Sequence, residues 1–182
     1  KFLYMKIFRR DNERFVLNSL MDDISIIKSI GGEKNLKENP SHIPLGASTA
    51  YFVGGTSVNL RWLRYTYICQ QIINHNLLPD SGVWVDVGSY YGGCQSLLRK
   101  HFPNTTNVLV DFHHQLCRSY IFLSQTYPDT EHILPDKISN YKSLDDIPKG
   151  SFVYLPVSDY HKIANQKVSL VTNFFSLGEM NR

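Results

Sequence analysis

The segment Asp86-Val87-Gly88-Ser89-Tyr90-Tyr91-Gly92-Gly93 gathers a carboxylate, a hydroxyl and three glycines, and a second carboxylate, Asp111, stands 23 residues beyond Gly88. Glycines at that density let a backbone come close to a ligand, and an acidic residue roughly 20 positions further on accepts hydrogen bonds from ribose hydroxyls. The pattern therefore points to a ligand that contains a nucleoside. A dinucleotide fingerprint runs Gly-x-Gly-x-x-Gly, its middle glycine leaving backbone amides bare for a pyrophosphate. Here the middle position is Tyr90. Asp86, on the last turn of the preceding apolar run, would repel a pyrophosphate. S-adenosylmethionine carries no phosphate, and its ammonium and sulfonium welcome a nearby anion. The residues thus favour S-adenosylmethionine over NAD. Phe112, next to Asp111, is a candidate to pack on the adenine ring. Either aspartate alone reads equally well as a helix cap or a solvated strand end; the pair at this spacing carries the reading.

The elements that must position these residues show in the hydrophobic period. From Lys1 to Ile30 the apolar residues Phe2, Leu3, Ile7, Phe15, Leu20, Ile24, Ile27 and Ile30 recur at three- and four-residue spacings, which predicts helix, and Gly31 with Gly32 stops it. Glu33 to Gly55, with two prolines and three glycines, reads as a long irregular connection. A second helix is predicted from Thr56 or Ser57, either able to cap it, through Leu60, Leu63, Tyr67, Ile68 and Ile72 to about His75. After the Pro79-to-Gly82 turn the period changes. Val83 to Val87 reads as a strand, Gly93 to His101 as a helix with Leu97, Leu98 and Phe102 inward, and Asn107 to Asp111 as a strand. His114 to Thr126 reads as a helix with Leu116, Tyr120 and Leu123 inward. Phe152 to Leu155 and Val168 to Asn173 are further strands, and Ile133 with Leu134 is strand or loop.

This order argues for an α/β fold: a Rossmann-like parallel sheet with helices on both faces, preceded by N-terminal helices. Residues 1–55 form the helical segment and connection, and residues 56–182 the cofactor-binding domain. In such a sheet, ligands bind beyond the carboxyl ends of the strands, where the first strand's turn lies.

Composition excludes several classes. With 42% hydrophobic and 13% aromatic residues over 182 positions, the chain can build a real core, so extensive disorder is not expected. Apolar runs are far shorter than the roughly 18 to 20 residues needed to cross a bilayer, and no charged-then-apolar leader opens the sequence. A soluble, cytoplasmic protein is expected, without a membrane span. Cys69, Cys94 and Cys117 are odd in number and far apart, which fits buried thiols better than disulfides or metal ligands. The 19 basic and 16 acidic residues are spread along the chain, leaving no nucleic-acid footprint. The mixed run Lys6 to Arg14 reads as a solvated helix face.

Three segments carry a family resemblance: Trp84-Val-Asp-Val-Gly-Ser-Tyr-Tyr-Gly-Gly93, Val108-Leu-Val-Asp111, and Ser169-Leu-Val-Thr-Asn-Phe-Phe-Ser-Leu-Gly-Glu-Met180. From about Thr56 to Arg182 the chain resembles the class I S-adenosylmethionine-dependent methyltransferases, and within them the sugar O-methyltransferases; the Ser176-to-Met180 element is the most specific part. The resemblance implies that Asp86, Gly88 and Gly92 border the methionine part of the cofactor, with Ser89 and Tyr90 in the same turn. It implies that Asp111 holds the ribose, that Val157, Ser158 and Asp159 lie near adenine, and that Asn173 lies near the methionine moiety or the reacting methyl. It also implies further strands beyond Arg182, because a complete class I fold has them after the fourth.

The implied reaction moves a methyl group to a hydroxyl of a sugar or glycosylated small molecule. A sugar hydroxyl is a poor nucleophile at neutral pH, so a general base or a metal is expected. Glu179 is the first candidate base, against the alternative of a helix-first-turn glutamate meeting the macrodipole; His161 is the second. The adjacent His113 and His114 point in different directions from a helix start, so no metal pair is expected. Tyr90 and Tyr91 either close over the methionine end or pack beneath the loop. Arg61 and Arg64 either reach the cofactor carboxylate or form an exposed helix face. Two other readings are a nicotinamide-dependent oxidoreductase and a non-catalytic binding module that associates, as a homo-oligomer or otherwise, through the N-terminal helices.

Overall fold

The computed structural model describes residues 2–37, 51–53, 55–174 and 176, with side chains from residue 16 onward, residue 56 excepted. Glu179, the Ser176-to-Met180 element beyond Ser176, and the side chains of the Lys6-to-Arg14 run lie outside the described residues. The chain divides into two compact units, Lys1–Gln70 and Gln71–Arg182.

In the first unit, helix α1 (Phe2–Ser29) ends as its glycines predict. Gly31 takes the left-handed conformation at φ 88°, its N–H donates to the Lys28 carbonyl, and Gly32 N–H reaches back to Ile27. That pair of bonds caps the last carbonyls of the helix. The expected irregular connection contains two regular pieces, a short helix α2 (Glu33–Lys37) and strand β1 (Tyr51–Val53), and β1 pairs antiparallel with β2 (Thr56–Val58) just beyond it. Helix α3 (Leu60–Asn74) therefore does not begin at Thr56 or Ser57. Those residues extend as strand beside Tyr51–Val53, and Asn59 caps the helix, its Oδ1 accepting the Trp62 N–H at 2.8 Å. Asparagine caps as well as serine, and the β-branched residues fit the pleat. Leu20, Ile27, Leu36, Val58 and Leu63 form this unit's core.

The second unit is built on a five-stranded, wholly parallel sheet. Its strands are β3 (Val83–Val87), β4 (Thr106–Asp111), β5 (His132–Ile133), β6 (Phe152–Pro156) and β7 (Leu170–Thr172), in the order β5-β6-β4-β3-β7. Helix α4 (Gly93–Arg99) connects β3 to β4 and helix α5 (His113–Thr126) connects β4 to β5, and the two touch each other. One sheet face carries Val83, Val85, Val108, Val110, Val153 and Leu155, closed by Ile138, Leu144 and Ile147 from short 3-10 turns. The alternate residues Trp84, Leu109, Phe152 and Tyr154 are buried as well, the last three on strands that α5 contacts. Burial on both faces is why these strands read as unbroken apolar runs. The Ile133 piece is a short edge strand, its amide groups paired with β6.

Two inward assignments change. On α5 the buried residues are Leu116, Ser119, Phe122 and Leu123, while Tyr120 is 38% exposed. Tyr120 lies at the flank of that stripe, its ring edge-on to His132 and Tyr154. Among the cysteines, Cys69 and Cys94 are buried, but Cys117 faces solvent from α5. Among the described residues no helix is long and apolar enough to cross a membrane.

Candidate functional site

The chain leaves β3 toward β4 on one side and later returns to β7 on the other, so strand order reverses at β3. All five strands point the same way, which puts the exits of β3, β4, β6 and β7 on one edge, the edge where ligands bind in such sheets. The glycine turn lies there. Gly88 N–H donates to the Val110 carbonyl at 2.8 Å, tying the turn to the neighbouring strand. Left-handed backbone alternates through it, at Gly88 (φ 81°), Tyr90 (φ 55°) and Gly92 (φ 84°). At Gly92 a side chain would run into Leu123 of α5, and at Gly88 into Ser176.

A tyrosine in the left-handed region is strained, and something must hold it. Asp111 Oδ2 accepts the Tyr90 N–H at 2.8 Å, and the Ser119 hydroxyl donates to the Tyr90 carbonyl. The other oxygen of Asp111 accepts the Phe112 N–H at 2.8 Å. One half-buried carboxylate therefore clamps the turn after β3 to the end of β4. The rings continue the chain of contacts: Tyr90 meets Tyr91 edge-on at 5.5 Å, and Tyr91 meets Phe122 of α5 at 5.0 Å.

Asp86 sits differently. It is 3% exposed, its Oδ2 accepting the Gln95 Nε2–H at 2.6 Å and its Oδ1 the Thr172 hydroxyl at 2.7 Å. Burial pushes its carboxyl up to about 6; the Thr172 and Gln95 bonds oppose that rise, and the Asp111 charge adds to it. Its visible work is to join β3 to α4 and β7, beneath the turn. Ser89 is buried too, and neither its hydroxyl nor Gln95 Oε1 has a partner among the described residues.

Phe112 is 58% exposed beside Asp111, its ring stacked on His114 at 5.9 Å. The register that pairs Asp111 with Pro156 brings Phe112 level with Val157, which is also exposed. Val157 opens the 3-10 helix Val157–Lys162, where the exposed Ser158 donates to Asp159 and Lys162 pairs with Asp159 at 2.8 Å. The Lys162 ammonium holds that carboxyl below its ordinary range. His161 is exposed on the same helix, edge-on to Tyr160. On the opposite side of β3, Asn173 Oδ1 accepts the Ser176 N–H at 3.2 Å, and the Ser176 hydroxyl donates to the Val87 carbonyl. The exits of β6 and β7 are three strand spacings apart, about 14 Å.

Gly88, Ser89, Tyr90, Gly92, Asp111 and Phe112 thus come together at one edge, with Asn173 and Ser176 against the turn on one side and Ser158 and His161 further off on the other. No protein-family model matches the chain, and neither does any curated protein or solved structure. What the arrangement can do is therefore read from its geometry. Each Asp111 oxygen has a second lone pair beyond its backbone partner, so the carboxylate can still accept two hydroxyl protons. The exposed Phe112 ring beside it offers an apolar face to a planar base. Among the described residues, no group of three or more His, Cys, Asp and Glu is placed to hold a metal ion. Arg61 is half-buried; Arg64 is exposed and lines a groove of about 370 Å³ within the first unit with Asp23, Ile26, Ile27, Leu63 and Tyr67.

Gln95, Ser119 and Thr172 were not foreseen. The available signal was a polar side chain at an inward position of an otherwise apolar element, which marks a buried partner without naming it.

Proposed function

We propose that this chain is the cofactor-binding part of a Rossmann-like, cytoplasmic S-adenosylmethionine-dependent methyltransferase that acts on a hydroxyl of a sugar or glycoside. The observation that carries the reading is the Asp111 clamp: a half-buried carboxylate at the end of the second strand of the sheet's central pair, locked to the glycine turn, with lone pairs left for two ribose hydroxyls and an exposed aromatic ring beside it. Tyr90 at the middle of the turn supports a ligand without a pyrophosphate there, and the Ser176 segment against Gly88 agrees with the methyltransferase resemblance.

In this reading Asp111 holds the ribose, Phe112 and the Val157–Ser158 pair border adenine, and Gly88, Ser89, Tyr90, Gly92 and Asn173 border the methionine end. When bound, S-adenosylmethionine would supply an electrophilic methyl group on a positively charged sulfur. The chain's own part is to bind, orient and exclude water, because methyl transfer is an in-line displacement governed by alignment. Glu179 is the proposed base that takes the hydroxyl proton, and His161 the second candidate. Asp86 borders the methionine end from beneath the turn and, buried with both oxygens engaged, also fixes the strand ends.

Calorimetry with S-adenosylmethionine and S-adenosylhomocysteine tests this directly. Binding is expected, and Asp111→Ala should weaken it by about 1 to 3 kcal/mol, the scale of hydrogen bonds to a charged group. Binding of NAD in place of either ligand would overturn the reading. Binding without methyl transfer to any of a panel of sugars would favour a non-catalytic module.

A further inference from the structure

The segment after β7 is held in part by Trp84 and Thr172, two side chains that no proposed cofactor contact uses. Trp84 in β3 donates its indole N–H to the Thr172 hydroxyl at 2.8 Å, and that hydroxyl donates to Asp86 Oδ1 at 2.7 Å. The direction is fixed, since an indole N–H only donates and a hydroxyl has one proton to give. Trp84 is 1% exposed and Asp86 3%, so both ends of this chain of bonds lie in the interior, with the half-buried Thr172 between them. One residue further, Asn173 takes the Ser176 N–H, Ser176 reaches the Val87 carbonyl, and its side chain fills the space over Gly88.

Backbone pairing alone does not supply this placement. Among the described residues strand β7 has three residues, lies at the sheet edge and pairs with one neighbour. Short elements with few paired groups open most readily. The Thr172 hydroxyl adds what the ladder lacks: a half-buried side-chain link from the last residue of β7 to two residues of β3.

We propose that Thr172 is a positioning residue: by joining Trp84 to Asp86 it fixes the end of β7 and so seats Asn173 and Ser176 against the glycine turn. Only its consequence for methyl transfer rests on the function proposed above. The seating itself is a property of the ligand-free chain.

Hydrogen exchange followed by mass spectrometry on the ligand-free protein tests it with Thr172→Val, which keeps shape and removes the hydroxyl, and Thr172→Ser, which restores it. Thr172→Val should speed exchange about ten-fold, the scale of one buried hydrogen bond, in peptides covering residues 172–176 and 88–92. Peptides from β4 and β6 should exchange as in the wild type, and Thr172→Ser should return the fast segments to the wild-type rate. Unchanged exchange at both segments, equal loosening of every strand, or a serine variant as loose as the valine one would each overturn the proposal. If Thr172→Val does not fold, Trp84→Phe removes the donor that points the hydroxyl at Asp86 along with part of a core ring, and the same two segments must loosen more than β4 and β6 do. Failure of the wild type to bind S-adenosylhomocysteine would count against the function and leave the exchange result standing.

Discussion

Two residues show how a side chain's surroundings decide its behaviour. Asp86 is a carboxylate with two neutral hydrogen-bond donors and no cation beside it, so its folded pKa of about 6 lies above the ordinary value near 4. A raised carboxyl pKa means the fold prefers the protonated form. Stability from this group is fullest below about pH 4, falls as pH rises toward 6, and stays flat above; two pKa units amount to about 3 kcal/mol. Asp86→Asn removes that fall because an amide does not titrate, and Gln95 can turn its Oε1, which has no partner among the described residues, toward the new amide. Urea unfolding between pH 4 and 7.5 should show the variant gaining on the wild type by roughly that amount across the window; parallel curves would refute the assignment. At Tyr90 the backbone itself is the test. With φ at 55°, Tyr90→Gly should be more stable than Tyr90→Ala by about 1 kcal/mol in denaturant titrations, since only glycine enters the left-handed region freely.

At the scale of elements, legibility followed the range of the interactions. Strands β3, β4 and β6 were readable because burial on both sheet faces leaves continuous apolar runs, and the turn after β3 because glycine density is local. The start of α3 was misread because Thr56, Ser57 and Asn59 are all competent caps, and only pairing with Tyr51–Val53 decides that the first two belong to a strand. Asn59→Ala should therefore cost about 1 kcal/mol in unfolding free energy, the usual loss of a cap. Equal stability of variant and wild type would deny Asn59 that role. The site's supporting bonds were the least legible. Asp86 finds one partner 9 residues away and another 86 away, so no window of sequence contains both. Tyr120 was placed inward by helical spacing alone, and the aromatic cluster around His132, which draws it to the flank, depends on an edge strand two residues long.

At the scale of the whole molecule, two units with separate cores are joined through α3, within which the division falls, and the proposed cofactor contacts all lie in the second. Ligand that binds only the folded state stabilises it by mass action, about 2.7 kcal/mol at a hundred times the dissociation constant. For a chain of this length that corresponds to a rise in melting temperature of roughly 5 to 10 °C. Scanning calorimetry with saturating S-adenosylhomocysteine should show such a rise, and Asp111→Ala should shrink it at the same ligand concentration. An upward shift with NAD and none with S-adenosylhomocysteine would reverse the choice of cofactor.

The exposure of Cys117 has a practical side. With Cys69 and Cys94 sealed in the interior, the native chain offers a thiol-directed dye one accessible attachment point, on the helix whose first turn follows Asp111 and Phe112. A fluorophore placed there would stand a few residues from the ribose position and sense occupancy of the turn optically, without a single substitution in the sequence.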